Sequence, residues 1–287
     1  MKTVSCTQMI QNRYHQLTAV EKKIADYLLH HQQAVVGMSI GELAENAQVA
    51  KSAIVRCCKS LGFEGYSQLK LALAADHSKN KQLNYTPYIY PDDSPATIME
   101  KVFSSNVKAL HDTAAGLDHA VIQEVLTRLE QARQIYLYGI GTSASMVTEL
   151  QYRLMQLGYT AFAFTDPGNM MVSTMNIDHR DVAFGISYSG RTIATTQTLE
   201  LARAAGAKTI CITNYPDSPI TKVCEYAIPV YCDEVQYPVE AMSAKIAQLS
   251  LIYALTTALS SLNREDTLQR AKRTRELINS IRMEEIE

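Results

Sequence analysis

The chemistry-bearing residues of this chain gather in two short hydroxyl-rich segments, Gly139-Ile140-Gly141-Thr142-Ser143 and Ser187-Tyr188-Ser189-Gly190-Arg191-Thr192. The apolar run Ile135-Tyr136-Leu137-Tyr138 precedes the first, and Val182-Ala183-Phe184-Gly185-Ile186 precedes the second. Helical periodicity follows each, over Met146 to Leu157 and Thr195 to Ala205. Such an order sets both loops at the carboxyl ends of parallel strands, where open α/β sheets bind ligands. A helix start offers unpaired backbone N–H groups and the positive end of its dipole. Ser143, Ser187, Ser189 and Thr192 add hydroxyl donors for the same anion, and Gly141, Thr142 and Gly190 complete the two loops. The chemistry suits a phosphomonoester. Ser and Thr are also ordinary helix caps, and Gly is ordinary in turns, so either loop alone has a purely structural reading. Two such loops at successive strand ends weigh against it.

The elements that would position these loops alternate, with strands near 134–139, 160–164, 181–187, 208–213 and 226–231 and helices between them. Alternation of this kind predicts a parallel sheet covered on both faces, a doubly wound three-layer α/β fold of about five strands. Ser94 caps a helix with Pro95 in its first turn and Val102, Val107 and Leu110 among its apolar residues; Asp118 caps a second, ending near Ala132. At the other end, Ala244 to Leu262 is a long apolar helix and Glu265 to Ile281 a more charged one. Apolar residues around much of a helix need a partner surface, which predicts a dimer interface on these C-terminal helices.

At 287 residues, 47% hydrophobic and 20% charged, the chain has the composition of a soluble globular protein of about two domains. No run approaches the ~18 apolar residues of a membrane span, and Met1-Lys2-Thr3-Val4-Ser5-Cys6 lacks the apolar core of a signal peptide, so a cytoplasmic protein is expected. Six cysteines, Cys6, Cys57, Cys58, Cys211, Cys224 and Cys232, form no CxxC pair and no zinc spacing; reduced, buried thiols and no metal site are expected. The net charge of −2 is unevenly spread, +3 over residues 1–80 and −5 over the rest. A basic front on an acidic body points to an anionic partner for the front.

Residues 1–77 carry helix starts and no convincing strand. Thr18-Ala19-Val20-Glu21 is a capping-box pattern whose helix sets Val20, Ile24, Tyr27 and Leu28 on one face. Ser39-Ile40-Gly41-Glu42 repeats it, and the short helix that follows yields at Asn46 to Val49 to another over about Lys51 to Leu61. The arrangement predicts an all-α helix-turn-helix. On its last helix Ile54, Cys58 and Leu61 form an inward stripe, leaving Lys51, Ser52, Arg56 and Lys59 outward, as a helix entering a major groove requires. A solvated helix face gives the same charge pattern.

The stretch Ser39-Ile40-Gly41-Glu42-Leu43-Ala44, continued by Val49-Ala50-Lys51-Ser52-Ala53-Ile54-Val55-Arg56-Cys57-Cys58-Lys59-Ser60-Leu61-Gly62-Phe63-Glu64-Gly65-Tyr66-Ser67-Gln68-Leu69-Lys70, resembles the N-terminal domain of the RpiR family of bacterial transcriptional regulators. In that family the head is fused to a sugar isomerase (SIS) domain, which residues 130–231 resemble. The resemblance implies a head over residues 1–77 and an SIS domain over 94–287; between them residues 78–93, with no helical or alternating period, two prolines and a polar majority, are the expected linker. It implies operator DNA held by Lys51, Ser52, Ala53, Arg56 and Lys59, a phosphorylated sugar as effector, and a homodimer or homotetramer. Ala53 departs from the family's usual Thr or Ser. Related SIS domains also move protons on sugar phosphates, so a phosphosugar isomerase or etherase is one alternative. Glu240, ahead of the long C-terminal helix, is the credible base; it serves as well to hydrogen-bond a sugar hydroxyl or to complement a helix dipole. His179 and His119 receive no catalytic role. The other alternative is an NAD-sensing repressor, because Gly139-Ile140-Gly141-Thr142-Ser143-Ala144 satisfies G-x-G-x-x-A and Asp166 follows the second strand. That reading gives the second loop no role, so the phosphosugar is favoured and no resident cofactor is expected.

Overall fold

Two capping boxes organise the helical head. In each, a hydroxyl accepts the N–H of a glutamate three residues on, and the glutamate accepts the N–H of the cap residue: Thr18 with Glu21, Ser39 with Glu42. The computed structural model describes residues 6–82, 89–90, 92–232, 242–262 and 264–279. Packing divides the chain into two units, Met1–Asp112 with Tyr231–Ser243, and Thr113–Val230 with Ala244–Glu287.

The first unit contains α1 (Cys6–Arg13), α2 (Ala19–His30), α3 (Gln32–Gly37), α4 (Ile40–Asn46), α5 (Lys51–Ser60), α6 (Tyr66–Gln82) and most of α7 (Pro95–Gly116). The head's core draws on Cys6, Ile10, Ile24, Leu28, Leu43, Ile54, Cys58, Leu61 and Leu73, and burial pushes the Cys57 thiol up to about 12 and that of Cys58 up to about 11. The turn between α4 and α5 runs through Gln48 at φ 52°, the one positive φ outside glycine among the described residues.

Two expectations change. Val20 is 49% exposed, because it stands in the first turn of α2, past the packed face that Ile24 and Leu28 supply. Residues 78–82 continue α6 as helix, since Lys, Asn and Gln extend a helix already nucleated by the packed residues before them.

The second unit is a three-layer α/β sandwich. After α8 (His119–Gln131) come β1 (Ile135–Tyr138), α9 (Thr142–Gln156), β2 (Ala161–Phe164), α10 (Pro167–Ser173), β3 (Val182–Ile186), α11 (Ile193–Ala204), β4 (Lys208–Thr213), α12 (Pro219–Val223) and β5 (Tyr226–Pro229). All strands are parallel, in the order β2-β1-β3-β4-β5. Alternate residues serve opposite faces of such a sheet. Tyr136, Tyr138, Ala183, Cys211 and Ala227 meet α10, α11 and α12 on one, while Ile135, Leu137, Val182, Phe184, Ile210 and Ile212 are buried on the other, toward α8 and α9. Both faces being covered explains why the strands read as continuous apolar runs.

α13 (Met242–Leu262) and α14 (Arg264–Asn279) are the last described elements. α13 is long and apolar enough to cross a membrane by length and composition, which corrects the statement that no run approaches a span. Yet Ala244, Ala247, Leu251, Ile252, Leu255 and Leu259 are buried along one face, the pattern of a core helix. Arg153 of α9 lies over the Tyr253 ring, 4.5 Å from its centroid, and fastens α13 to the sheet's helical layer.

Candidate functional site

In a sheet of this order the chain runs outward from β1 in one direction through β2 and in the other through β3, so the crossovers after β1 and β3 lie on opposite faces. A crevice opens where they part. β1 and β3 are hydrogen-bonded neighbours, with Tyr138 opposite Gly185, and the loops 139–141 and 187–192 leave from adjacent strand ends. The spacing of hydroxyls along the sequence becomes a pair of facing loops by this topology alone.

The second loop is tightly knit. The Ser187 hydroxyl lies 3.1 Å from that of Thr192 and accepts the Gly190 N–H at 3.1 Å, while the Ser189 hydroxyl accepts the Arg191 N–H at 3.3 Å. Ser187 is buried, Ser189 and Thr192 are half-buried. The loop is latched to the end of β4: the Asn214 N–H and the Thr213 hydroxyl donate to the Tyr188 carbonyl at 3.0 and 3.1 Å, and the Ile220 N–H donates to the Gly190 carbonyl at 3.0 Å. Gly190 holds φ at +62°, and a Cβ there would stand 2.0 Å from the Ser218 hydroxyl. Only glycine meets both demands.

These hydroxyls are not caps. Thr18, Ser39, Asp118 and Asp166 each accept an N–H in the first turn of their helices, whereas Thr192 makes no side-chain bond into α11 and Gly141 none into α9. The two helix starts nevertheless differ. At α9 the Ser143 and Ala144 N–H groups turn back to the carbonyls of Ile140 and Gly141, at 3.2 and 3.1 Å, which leaves fewer donors outward. Among the described residues no such backbone bond is made by Ile193, Ala194 or Thr195, so the start of α11 keeps more outward N–H groups, the arrangement that favours an anion at a helix start. Ser143 is buried at the start of α9, and Gly141, at φ +61°, has open space where a Cβ would be.

Sequence reasoning passed over Thr195 and Ser218. Both are buried, and neither hydroxyl has a hydrogen-bond partner among the described residues. Thr195 lies one turn into α11; Ser218 abuts Gly190 from the loop after β4. In the sequence Thr195 was signalled by its closeness to the 187–192 loop, whereas Ser218, which lies beyond β4, was not signalled. Glu240 lies outside the described residues. His179 precedes β3, at the strand end opposite the loops, and His119 is exposed at the start of α8.

The dinucleotide fingerprint has a structural explanation at two of its positions. A Cβ on Gly139 would stand 2.8 Å from the Ser143 carbonyl oxygen and 3.0 Å from Val147, so this glycine lets α9 close onto β1. Asp166 accepts the Asn169 N–H at 3.0 Å as the cap of α10.

In the head, α5 exposes Lys51, Ser52, Arg56 and Lys59 and buries Ile54, Cys58 and Leu61, as expected. Ala53 is corrected: only 4% exposed, it packs inward beside Ile54 and Cys57 and presents nothing to DNA. α5 is docked against both α2 and α4, so its buried arc is two residues wide, and Ala53 falls on its second row.

Fold and site define a helix-turn-helix head and a doubly wound α/β domain whose hydroxyl-bearing β1 and β3 loops leave from adjacent strand ends. Family models agree: the rpiR-family helix-turn-helix domain matches residues 4–80 and the SIS domain residues 128–258. An uncharacterised HTH-type transcriptional regulator of Haemophilus influenzae is 31% identical over 261 residues, 88% of this chain and 90% of the relative. The chain belongs to the RpiR family of helix-turn-helix transcriptional regulators with an SIS domain. Among solved structures, the Vibrio vulnificus NanR protein complexed with ManNAc-6P is 25% identical, with a TM-score of 0.62 over 98% of this chain and all of the other. The sugar isomerase domain of an RpiR transcription factor from Sphaerobacter thermophilus, 18% identical, covers 61% of this chain with a TM-score of 0.57 and 97% of its own length, a likeness of fold.

Proposed function

We propose that this regulator binds a phosphorylated sugar between its β1 and β3 loops, and that binding changes how two heads meet operator DNA. The observation that carries the reading is the uncapped start of α11 ringed by the hydroxyls of Ser187, Ser189 and Thr192. A phosphomonoester uses such a site fully, taking backbone N–H groups, hydroxyls and dipole together. Support comes also from NanR, whose ligand is an N-acetylated amino-sugar phosphate, so sugars of that class are the first to test.

In this reading residues 1–77 form the reading head, 78–93 the linker and 94–287 the sensor, in a homodimer or homotetramer working in the cytoplasm. Lys51, Ser52 and Arg56 meet base edges and Lys59 a phosphate. The effector acts by favouring one presentation of the heads over another. The reading has no catalytic step; Glu240, if it reaches the sugar, holds a hydroxyl.

The test is a thermal-shift comparison of hexose 6-phosphates and ManNAc-6P with NAD and NADH, since a ligand of the folded state raises its melting temperature. A sugar phosphate should stabilise the protein and the nucleotides should not. Calorimetry on Ser189→Ala should then give binding weaker by roughly 1.5–3 kcal/mol, the worth of a hydrogen bond to a charged group, with the fold intact. Unchanged affinity would return the hydroxyls to a structural role. Turnover of the sugar, followed by NMR and abolished in Glu240→Gln, would make the protein an enzyme.

A further inference from the structure

One residue on the outward face of α5 is neither charged nor polar. Val55 is 37% exposed, and the exposed residues around it on the helix are Lys51, Ser52, Arg56, Lys59 and Ser60. At about 100° per residue, and counting from Lys51, Val55 stands at about 40°, Lys59 at about 80°, Ser52 at about 100° and Arg56 at about 140°. Val55 therefore lies inside the cationic arc, with Lys51 one turn before it and Lys59 one turn after. Beyond Arg56 the helix surface is already engaged, since Ser60 donates its hydroxyl to Glu21 and Ala53 is packed inward. A lone apolar side chain elsewhere on a surface needs no cause. Here it is set among cations, where a β-branched residue adds nothing to helix stability and attracts no phosphate. The major groove offers one apolar group to such a residue, the 5-methyl of thymine.

We propose that Val55 packs on a thymine 5-methyl group in each operator half-site and so determines one base by apolar contact. The inference rests on the DNA reading given above and adds to it a residue and the chemical group that residue recognises. The cations on either side attract phosphates of any sequence, whereas Val55 contributes discrimination alone. Cytosine presents an amino donor and no methyl, which sets the valine against a polar edge. Uracil keeps thymine's hydrogen-bonding pattern and lacks only the methyl, so it isolates the contact.

The test uses the full chain and the sequence it selects from a random DNA pool. Each thymine of that sequence is replaced in turn, in both half-sites, by deoxyuridine, and the dissociation constant is read by fluorescence anisotropy at one fixed salt concentration. At one position uracil should weaken wild type about fourfold per half-site, the worth of one methyl-sized group left in water. Val55→Ala, which withdraws both valine methyls, should cut that penalty below twofold. Its circular dichroism should match wild type because the position is exposed, and its salt slope should too because no charge is lost. Indifference of wild type to uracil at every thymine, a selected half-site without thymine, or a uracil penalty undiminished in Val55→Ala would each overturn the inference and leave DNA binding standing. Failure to enrich any sequence would overturn the DNA reading, and this inference with it.

Discussion

Gly190 and Gly141 share a positive φ but differ in surroundings, which separates two costs at residue scale. Alanine at 141 meets only backbone strain, about 1–2 kcal/mol for an L-residue forced to positive φ. Alanine at 190 meets that strain together with Ser218 and Thr213 at 2.0 to 2.9 Å, and overpacking adds roughly 1–3 kcal/mol. Chemical denaturation should therefore find Gly190→Ala the more destabilised by a clear margin; equal losses would mean that the loop after β4 yields freely. The sequence revealed Gly190 as a loop residue but not this crowding, because Ser218 reaches it only through the latch between the β3 and β4 loops. Ala53 failed for a related reason. Its neighbours Ile54 and Cys58 announced one inward row on α5, and the second row depends on α4 packing against the helix as well.

Besides its buried face, α5 is tied to α2 by a carboxylate. Glu21, besides closing the capping box of α2, accepts the Ser60 hydroxyl at the end of α5 at 2.6 Å; that bond first, then those from Thr18, hold its carboxyl below the usual glutamate range. A carboxyl so lowered in the folded state stabilises above its unfolded pKa of about 4.3, and that contribution disappears as pH falls through the folded value. Melting curves of wild type and Glu21→Gln should hence differ by a constant amount between pH 7 and 5 and converge below about pH 4. A gap that stays constant down to pH 3 would show that charge plays no part. On the outward face of α5, Arg56→Ala should relax specificity at one position of each inverted half-site, a bidentate base contact being worth about 1–3 kcal/mol of discrimination. Lys59→Ala should weaken binding to all sequences alike and make the salt slope shallower by about one unit. Selection of bound DNA from a random pool reads both; no enriched sequence, or an unpaired site, would contradict the scheme. The capping boxes at Thr18 and Ser39 were legible because they are local in sequence, and the Gln48 turn was not, since nothing in its residue type demands a left-handed conformation.

Over the whole molecule, alternation of apolar runs and helices sufficed to anticipate five parallel strands and the strand ends that carry the loops. The order of the strands did not follow from it, since right-handed crossovers permit several, and the crevice between β1 and β3 depends on that order. α7 was misleading in another way: Val107 counted among its apolar residues, yet it points outward while Ser105 and Thr113 turn in. The head's core consists entirely of residues between Cys6 and Leu73, with no contribution from the sheet. On a ribosome adding 5–20 residues per second, those residues emerge on the order of ten seconds before the last strand of the sensor, and domains fold N-terminal first. A gene interrupted by a stop codon beyond α7 would thus still encode a folded head and none of the sheet. On the proposed reading such a fragment would keep its hold on operators while answering to no sugar, so truncating mutations of this gene should behave as dominant alleles.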